Sequence, residues 1–415
     1  MKKLQHIIMI ALILLGLVTP ALAQEQTDNF NVSAKHAIAI EATTGKVLYE
    51  KDATTPDGVA SMTKILTAYM VYKAVDQGKI TWDTEVDISD YPFNLTVDSE
   101  VSNVPLDSRK YTVKQLLDAT LISSANSAAI ALAEKISGSE SAFVDTMTAQ
   151  LKEWGITDAK LFNASGLNNK YLGDNRYPGS KADDENTMSA LDVAIIADHL
   201  IKDYPQVLEI TKQTETDFEG NNKLTTHNYM LEGQDNYREG VDGLKTGTTE
   251  LAGASFVAHA NENGMSLITV VMNADNGGED EAARFTATNE LLDYVTQNWK
   301  IKTLNTKGQI VKKNDIKVAD GDSQTISAKL ESDLTVVQKI NSKNDAVKIK
   351  AKTIPAPIKK GDTIGTATFD DKDLVGTGYI SDPPQISVTA NQSIKKSFFL
   401  KVWWNHIVNF FTGNK

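Results

Sequence analysis

Residues 58–70 read GVASMTKILTAYM, and this stretch decides how the first half of the chain folds. Its apolar residues recur at helical spacing, as in Ile65, Leu66, Tyr69 and Met70. The spacing predicts a buried helix over 61–77. Ser61 and Lys64 are three positions apart, so this helix places a hydroxyl and an ammonium on one face. Such a pair is most simply a serine N-cap and a surface lysine, but it also suits a nucleophile and its base.

Two further motifs follow along the chain. Ser124-Ala125-Asn126 lies in a break between helices predicted over 112–121 and 126–137. Lys245-Thr246-Gly247-Thr248 leads towards the predicted strand GASFVAHA. Ser-x-x-Lys and Ser-x-Asn each occur a second time, but only the first copies precede the single Lys-Thr-Gly in this order. The order and setting of the three motifs therefore carry more information than any one of them.

The remaining pattern of the first domain mixes strands and helices. HAIAIEATTGKVLYEKD predicts two strands joined at Thr44-Gly45, and GASFVAHANENGMSLITVVMNA predicts two more joined at Asn263-Gly264. Further helices are predicted over 141–154, 188–202 and 280–298. Because helices separate the early strands from the late ones, we expect a sheet built from both ends of the domain with a helical part between.

The three ordered motifs are the signature of penicillin-binding proteins and serine β-lactamases. With FNASGL (162–167) and VDGLKTGTTELAG (241–253), the chain resembles the low-molecular-mass penicillin-binding proteins of the serine-type D-alanyl-D-alanine carboxypeptidase family over nearly its whole mature length. The resemblance implies an α/β (α+β) transpeptidase domain of the penicillin-binding and β-lactamase type. It also implies a small all-β sandwich domain after it and a C-terminal amphipathic helix.

The resemblance assigns four catalytic residues. Ser61 would be the nucleophile, and Lys64 would take its proton if burial and a second cation, Lys245, lower the pKa of Lys64. Ser124 would pass a proton towards the leaving amine. Asn126 would orient both the substrate amide and Lys64.

The same resemblance assigns the substrate-binding residues Lys245, Thr246, Gly247 and Thr248. Lys245 and the two threonine hydroxyls would hold a terminal carboxylate through charge and hydrogen bonds. The backbone N–H groups of Ser61 and Thr248 would form the oxyanion hole. Asn163 and Gly166 would shape a turn near the site, while Thr187, Ser189 and Asp192 are interpreted as helix capping.

The implied activity is removal of the terminal D-alanine from peptidoglycan stem pentapeptides through an acyl-enzyme on Ser61. β-Lactam antibiotics would acylate and inhibit the same serine. A serine β-lactamase is the close alternative, but residues 168–187 offer only Glu185 as an activating carboxylate. The triplet Asp183-Asp184-Glu185 is interpreted as a solvated loop. A non-catalytic sensor of β-lactams or muropeptides is the alternative from another class.

Composition excludes several other functions. The formal net charge of −12 argues against nucleic acid as a partner. The chain has no cysteine, so disulfides and thiolate chemistry are excluded, and its histidines show no metal-ligand spacing. We therefore expect neither a metal nor an organic cofactor.

The two ends of the chain predict export and membrane attachment. Residues 1–23 combine Lys2 and Lys3, an apolar run and the small-residue site Ala21-Leu22-Ala23, as in a secretory signal peptide. The alternative is a retained anchor, for which the run is short. The expected location is the outer face of the bacterial cytoplasmic membrane, where the protein would be peripheral.

Behind the signal peptide we predict a catalytic domain (24–299), a β-rich domain (300–393) and an amphipathic anchoring helix (394–415). Apolar residues share one face of that helix: Phe399, Leu400, Trp403, Trp404, Ile407, Phe410 and Phe411. Such a helix lies in a membrane interface, next to Lys395 and Lys396 that favour anionic lipid. The alternative is a helix docked on the protein itself.

Overall fold

The computed structural model describes residues 29–97, 100–220, 222–312, 315–398 and 402. Within them, the helices of the first domain are α1 (Lys64–Asp76), α2 (Asp90–Leu95), α3 (Val113–Leu121), α4 (Asn126–Ser137), α5 (Glu140–Glu153), α6 (Ala190–Asp203), α7 (Leu208–Thr211) and α8 (Ala283–Asn298). Its strands are β1 (Ala34–Glu41), β2 (Lys46–Lys51), β3 (Asp57–Gly58), β4 (Glu85–Asp87), β5 (Lys110–Thr112), β6 (Thr187–Met188), β7 (Glu215–Asp217), β8 (Lys223–Thr225), β9 (Val241–Thr249), β10 (Gly253–Glu262) and β11 (Met265–Ala274). The six predicted helices are thus present, and the short helices α2 and α7 were not predicted.

Strands from both ends of the domain meet in one antiparallel sheet of order β2-β1-β11-β10-β9. Ile38 on β1 lies opposite Val270 on β11, which joins the first hairpin to the last. Asn263 and Gly264 between β10 and β11 both have positive φ, as a type I′ hairpin turn requires. The predicted sheet and both hairpins are therefore confirmed.

Helices cover both faces of this sheet. Val257 packs in the apolar core that includes α1 and α6, whereas the ring of the preceding residue, Phe256, lies edge-on against Phe285 of α8. Because successive side chains of a strand point to opposite faces, α6 and α8 lie on opposite sides of the sheet. At the start of α6, Ser189 and Asp192 form a capping box, which confirms their predicted structural role.

Helix α1 is the central helix of the domain. Ten of its thirteen residues are buried, so it has no solvent face of its own. It contacts α3, α4, α5 and α6 and the edge strand β9. A 3₁₀ turn, Ala60–Thr63, leads directly into it. Ser61 therefore lies in a tight turn before the α-helix rather than in its first turn.

The second domain is built from strands alone among the residues described. They are β12 (Trp299–Asn305), β13 (Ile316–Ala319), β14 (Thr325–Ile326), β15 (Ala328–Leu330), β16 (Leu334–Lys339), β17 (Val347–Lys350), β18 (Ile354–Pro355), β19 (Thr363–Phe369) and β20 (Gln385–Ala390). Two sheets, of order β14-β13-β18 and β15-β20-β19-β17, share one apolar core that includes Val318 and Val388. This arrangement fits the predicted all-β domain.

A buried ion pair joins the two domains. Lys46 at the start of β2 is fully buried, and its Nζ lies 2.6 Å from Oδ2 of Asp371 in the second domain. The same Nζ donates a hydrogen bond to the carbonyl oxygen of Val337 at 2.9 Å. Beside it, the backbone of Gly45 accepts a bond from the N–H of Ile380. The second domain thus continues the outer edge of the central sheet at β2.

The end of the second domain lies further along the chain than predicted. Ile394 pairs with Ile358, and Lys396 pairs with Gly321, so these residues belong to the β domain. The predicted helix start at 394 is therefore wrong, whereas Val402 is helical and its N–H donates to the carbonyl oxygen of Phe398 at 3.2 Å. The rest of the predicted anchor, except Val402, and the predicted signal peptide lie outside the described residues. Among the helices that the structure describes, none is long and apolar enough to cross a membrane.

Candidate active site

Two glycines allow the turn that carries Ser61 to sit between a strand and a loop. A Cβ on Gly247 of β9 would lie 2.8 Å from the carbonyl oxygen of Val59. A Cβ on Gly166 would lie 1.8 Å from the carbonyl oxygen of Ala60, and Gly166 also has a φ of +79°. Only glycine therefore fits at these close approaches. They let the Lys-Thr-Gly strand and the FNASGL loop both pack directly against the Ser61 turn.

The side chain of Lys64 is fully buried and has three polar neighbours. Its Nζ lies 2.8 Å from Oγ of Ser61. It donates hydrogen bonds to Oδ1 of Asn126 at 2.7 Å and to the carbonyl oxygen of Ser165 at 2.8 Å. The interpretation of Ser61 and Lys64 as an N-cap and a surface lysine is therefore wrong.

Asn126 and Ser124 come from the break between α3 and α4. Asn126 is the first residue of α4, and its Nδ2 donates to the carbonyl oxygen of Ser102 at 2.9 Å, which orients Oδ1 towards Lys64. Ser124 has a φ of +57°, a left-handed conformation that is uncommon for a residue with a side chain. Strained backbone of this kind occurs often at active sites. The break thus brings Asn126 to Lys64, and Ser124 lies two residues before it in the strained part of the break.

Three cationic side chains are buried along the site. Burial and then the charge of Lys245 lower the pKa of Lys64 well below its ordinary value of 10.5. Burial and then the charge of Arg284 lower the pKa of Lys245 to about 7. Burial likewise lowers the pKa of Arg284. Lysines held in this way can lose a proton near neutral pH, whereas the guanidinium stays charged.

Arg284 was not predicted from the sequence. It lies on α8, where its Nη2 donates to Oγ1 of Thr248 at 2.8 Å and its Nη1 donates to the carbonyl oxygen of Gly247 at 3.0 Å. Only 2 % of the residue is exposed. No motif marked it, because it lies within an ordinary helical pattern. Its other N–H groups donate to Glu281 and to the carbonyl oxygen of Ser255, so Arg284 can act on the Lys-Thr-Gly strand through Thr248 and Gly247.

The FNASGL loop is held by its own asparagine. Oδ1 of Asn163 accepts hydrogen bonds from the backbone N–H groups of Ser165, Gly166 and Leu167, which confirms its predicted structural role. Oε1 of Glu140 accepts a hydrogen bond from the backbone N–H of Ala164 at 2.9 Å. Burial raises the pKa of Glu140 to about 7. These bonds fix the loop whose Ser165 carbonyl contacts Lys64.

An open cleft of about 610 Å³ begins at Ser61 and continues past Asn126, Gly166, Glu185 and Thr248. Glu185 is 5 % exposed, so the prediction of a solvated acidic loop is wrong for this residue. In the described ranges, no cluster of three or more histidine, aspartate or glutamate side chains is placed to hold a metal ion. The cleft therefore has the dimensions of a small-molecule or peptide site, and the serine in its lining contacts the buried Lys64.

The sequence matches two family models. Residues 22–276 match the model described as D-alanyl-D-alanine carboxypeptidase, peptidase family S11. Residues 299–396 match the model described as the C-terminal domain of penicillin-binding protein 5. The second match ends within the segment 394–397 that the structure assigns to the β domain.

Individual proteins agree with these matches. The chain is 30 % identical over 410 residues to D-alanyl-D-alanine carboxypeptidase DacF of Bacillus subtilis (strain 168), covering 96 % of both chains. The crystal structure of a peptidoglycan synthesis regulatory factor (PBP3) from Streptococcus pneumoniae is 51 % identical with a TM-score of 0.80, covering 88 % of this chain and all of that one. The structure of penicillin-binding protein D2 from Listeria monocytogenes in the ampicillin-bound form has 27 % sequence identity and a TM-score of 0.54. The match covers 65 % of this chain and 99 % of that one. This chain belongs to the D-alanyl-D-alanine carboxypeptidase family and is a serine-type hydrolase.

Proposed function

We propose that the protein is an exported carboxypeptidase that removes the terminal D-alanine from peptidoglycan stem pentapeptides through an acyl-enzyme on Ser61. The contact between the buried Nζ of Lys64 and Oγ of Ser61, at 2.8 Å, carries this proposal. The names of the relatives and the ampicillin-bound neighbour support it. β-Lactams would acylate the same serine. They would inhibit the enzyme because this acyl-enzyme would be hydrolysed slowly.

Acylation begins with the neutral form of Lys64. A neutral amine keeps two N–H donors and one lone pair. Asn126 Oδ1 and the Ser165 carbonyl can only accept, so they take the two N–H groups. The lone pair is then left for the hydroxyl of Ser61, whose proton passes to Nζ as Oγ attacks the scissile carbonyl carbon.

The tetrahedral intermediate places negative charge on the former carbonyl oxygen. The backbone N–H groups of Ser61 and Thr248 would stabilise this oxyanion. Ser61 lies in the 3₁₀ turn Ala60–Thr63 that precedes α1, where N–H groups lack partners within the helix. Ser124 would relay the proton from Lys64 to the leaving nitrogen, so that the C–N bond breaks and D-alanine departs. Water then attacks the ester carbonyl, and its proton returns through Lys64 to release Oγ.

Selection of a C-terminal residue calls for an anion site beside the scissile bond. Lys245 and the hydroxyls of Thr246 and Thr248 would bind the free carboxylate of the terminal D-alanine. Arg284 contributes through Thr248, whose hydroxyl it contacts at 2.8 Å. Because the guanidinium stays charged at all working pH values, the site keeps a cation even when Lys245 loses its proton near pH 7.

Release of free D-alanine from a synthetic pentapeptide stem tests the function. The purified mature protein should release D-alanine over many turnovers, and it should hold bound penicillin far longer than one such turnover lasts. A sensor would bind without releasing D-alanine. A β-lactamase would instead turn over penicillin rapidly and leave the peptide intact, and either result would contradict the proposal.

Replacement of Arg284 tests the carboxylate site. Arg284→Gln should lower turnover of the free-carboxylate peptide about 10- to 100-fold, since charge-assisted hydrogen bonds contribute about 1.5–3 kcal/mol. Turnover of the same peptide with an amidated C-terminus should change much less. Initial rates on both substrates measure this preference.

Arg238→Gln, at the salt bridge with Glu262, is the matched control and should leave the preference as it is in the wild type. If Arg284→Gln kept the wild-type preference for the free-carboxylate peptide, Arg284 would have no part in carboxylate recognition.

Membrane attachment through the C-terminal segment forms part of the proposal. Because residues 394–397 bond to the β domain, the anchoring segment is narrowed to the residues after Phe398, which are 399–415. Burial of its large aromatic side chains contributes about 1.5–3 kcal/mol each when complete. Deleting 399–415 should therefore release the protein from anionic liposomes in a flotation assay and leave hydrolysis of a soluble peptide unchanged. A truncated protein that still floats with lipid would show that attachment lies elsewhere.

A further inference from the structure

A buried carboxylate, Glu185, joins two segments that line the cleft: the end of β9 and the loop after Ser165. Glu185 is 5 % exposed, whereas Asp183 in the same acidic triplet is exposed. Burial of a carboxylate is costly unless hydrogen bonds compensate it. The bonds that Glu185 makes therefore show which parts of the cleft it stabilises.

The first partner is at the end of the Lys-Thr-Gly strand. Oε2 of Glu185 accepts a hydrogen bond from the hydroxyl of Thr249 at 2.6 Å. Thr249 directly follows Thr248 and is the last residue of β9. Its Oγ1 also accepts the backbone N–H of Ala252 at 3.0 Å, within the turn to β10. Glu185 therefore holds the turn that ends the substrate-facing strand.

The second partner is Asn168, in the loop that follows Ser165. Oε1 of Glu185 accepts a hydrogen bond from Nδ2 of Asn168 at 2.8 Å. Oδ1 of Asn168 in turn accepts the backbone N–H of Lys170 at 2.9 Å. Asn168 lies three residues after Ser165, whose carbonyl oxygen contacts Nζ of Lys64. One carboxylate thus joins two segments. One is the loop whose Ser165 contacts the base, Lys64, and the other is the strand that carries Thr248.

We infer that Glu185 is a positioning residue, which ties the β9 turn to the loop after Ser165 and so fixes the distance across the cleft between Thr248 and the Ser61–Lys64 pair. This inference rests on the acyl transfer proposed above. Acyl transfer depends steeply on such distances. Glu185 acts through Thr249 and Asn168, and it does not activate the deacylating water.

A mutant cycle separates positioning from base catalysis. The variants are Glu185→Gln, Thr249→Val and the double variant, and the rate constants of acylation by penicillin and of deacylation are measured separately. Each single variant should slow acylation about tenfold, the effect of one charge-assisted hydrogen bond. The double variant should be no slower than the worse single one, because both remove the same contact. Thr249→Ser, which keeps the hydroxyl, should retain more of the acylation rate than Thr249→Val.

Glu153→Gln is the matched control, since it makes the same substitution at an exposed glutamate outside the cleft, at the end of α5, and it should leave both rate constants unchanged. Normal acylation with slowed deacylation in Glu185→Gln would identify a base and overturn the inference. Additive losses in the double variant would also overturn it. If Glu185→Gln does not fold, Asn168→Ala replaces it, because it removes the other hydrogen bond of Glu185 and so breaks the same link; the double variant with Thr249→Val should again be no slower than the worse single variant. A wild type that penicillin does not acylate would refute the proposed function and this inference with it, whereas an acylated wild type without coupling would refute the inference alone.

Discussion

Replacement of Ser61 by alanine is expected to abolish both D-alanine release and covalent labelling by penicillin. The hydroxyl oxygen is the atom that forms the ester, so no acyl-enzyme can form without it. The fold should persist, because the hydroxyl is only partly buried and its removal deprives Nζ of Lys64 of one hydrogen bond, a loss of about 1–3 kcal/mol in the free energy of unfolding. Labelling is measured with a fluorescent penicillin, and unfolding is measured with a denaturant.

The chain provides its own control for this variant. Ser393 and Lys396 repeat the Ser-x-x-Lys spacing in the second domain, where Oγ of Ser393 accepts the backbone N–H of Lys360 at 2.9 Å. Ser393→Ala should keep full labelling and full D-alanine release. Labelling that survives in Ser61→Ala would assign the nucleophile to another residue.

Replacement of Lys64 by arginine is expected to slow acylation by about 10²- to 10⁴-fold, the usual contribution of a general base. Arginine keeps the positive charge but does not deprotonate at working pH. In the wild type, acylation should fall as the pH falls, because protonation of Lys64 removes the lone pair. The residual acylation by the arginine variant should lack this dependence. Stopped-flow acylation across a pH series measures both effects.

Lys73→Arg on the same helix is the matched control, since Lys73 is partly exposed on α1. It should acylate at the wild-type rate across the pH series. Near-normal acylation by Lys64→Arg, with the wild-type pH profile, would mean that another group accepts the proton of Ser61.

The elements that local patterns encode could be predicted from the sequence. Helical spacing identified α1 and α4, and the Asn263-Gly264 dipeptide identified the hairpin turn, because these features depend on residues close together in the chain. The ordered motifs also predicted that Ser61, Lys64 and Asn126 would come together, and the structure brings them within hydrogen-bond distance. Motifs succeed here because each one stands at the start of an element or on a strand.

Contacts between distant segments could not be predicted in the same way. Arg284 lies 36 positions from Thr248, and Glu185 lies 64 positions from Thr249. Nothing in the local sequence of either residue distinguishes it from a surface charge, since its burial comes from elements that other parts of the chain supply. The same holds for Ile394, which resembled the start of a helix but pairs with Ile358 in the β domain.

Mapping of the acylated residue tests the central claim most directly. The mature wild-type protein is incubated with penicillin and digested, and the modified peptide is sequenced by mass spectrometry. One penicilloyl group per chain, on Ser61, is the result that the proposed mechanism requires. A penicilloyl group on Ser124 or Ser393 with Ser61 unmodified would contradict it.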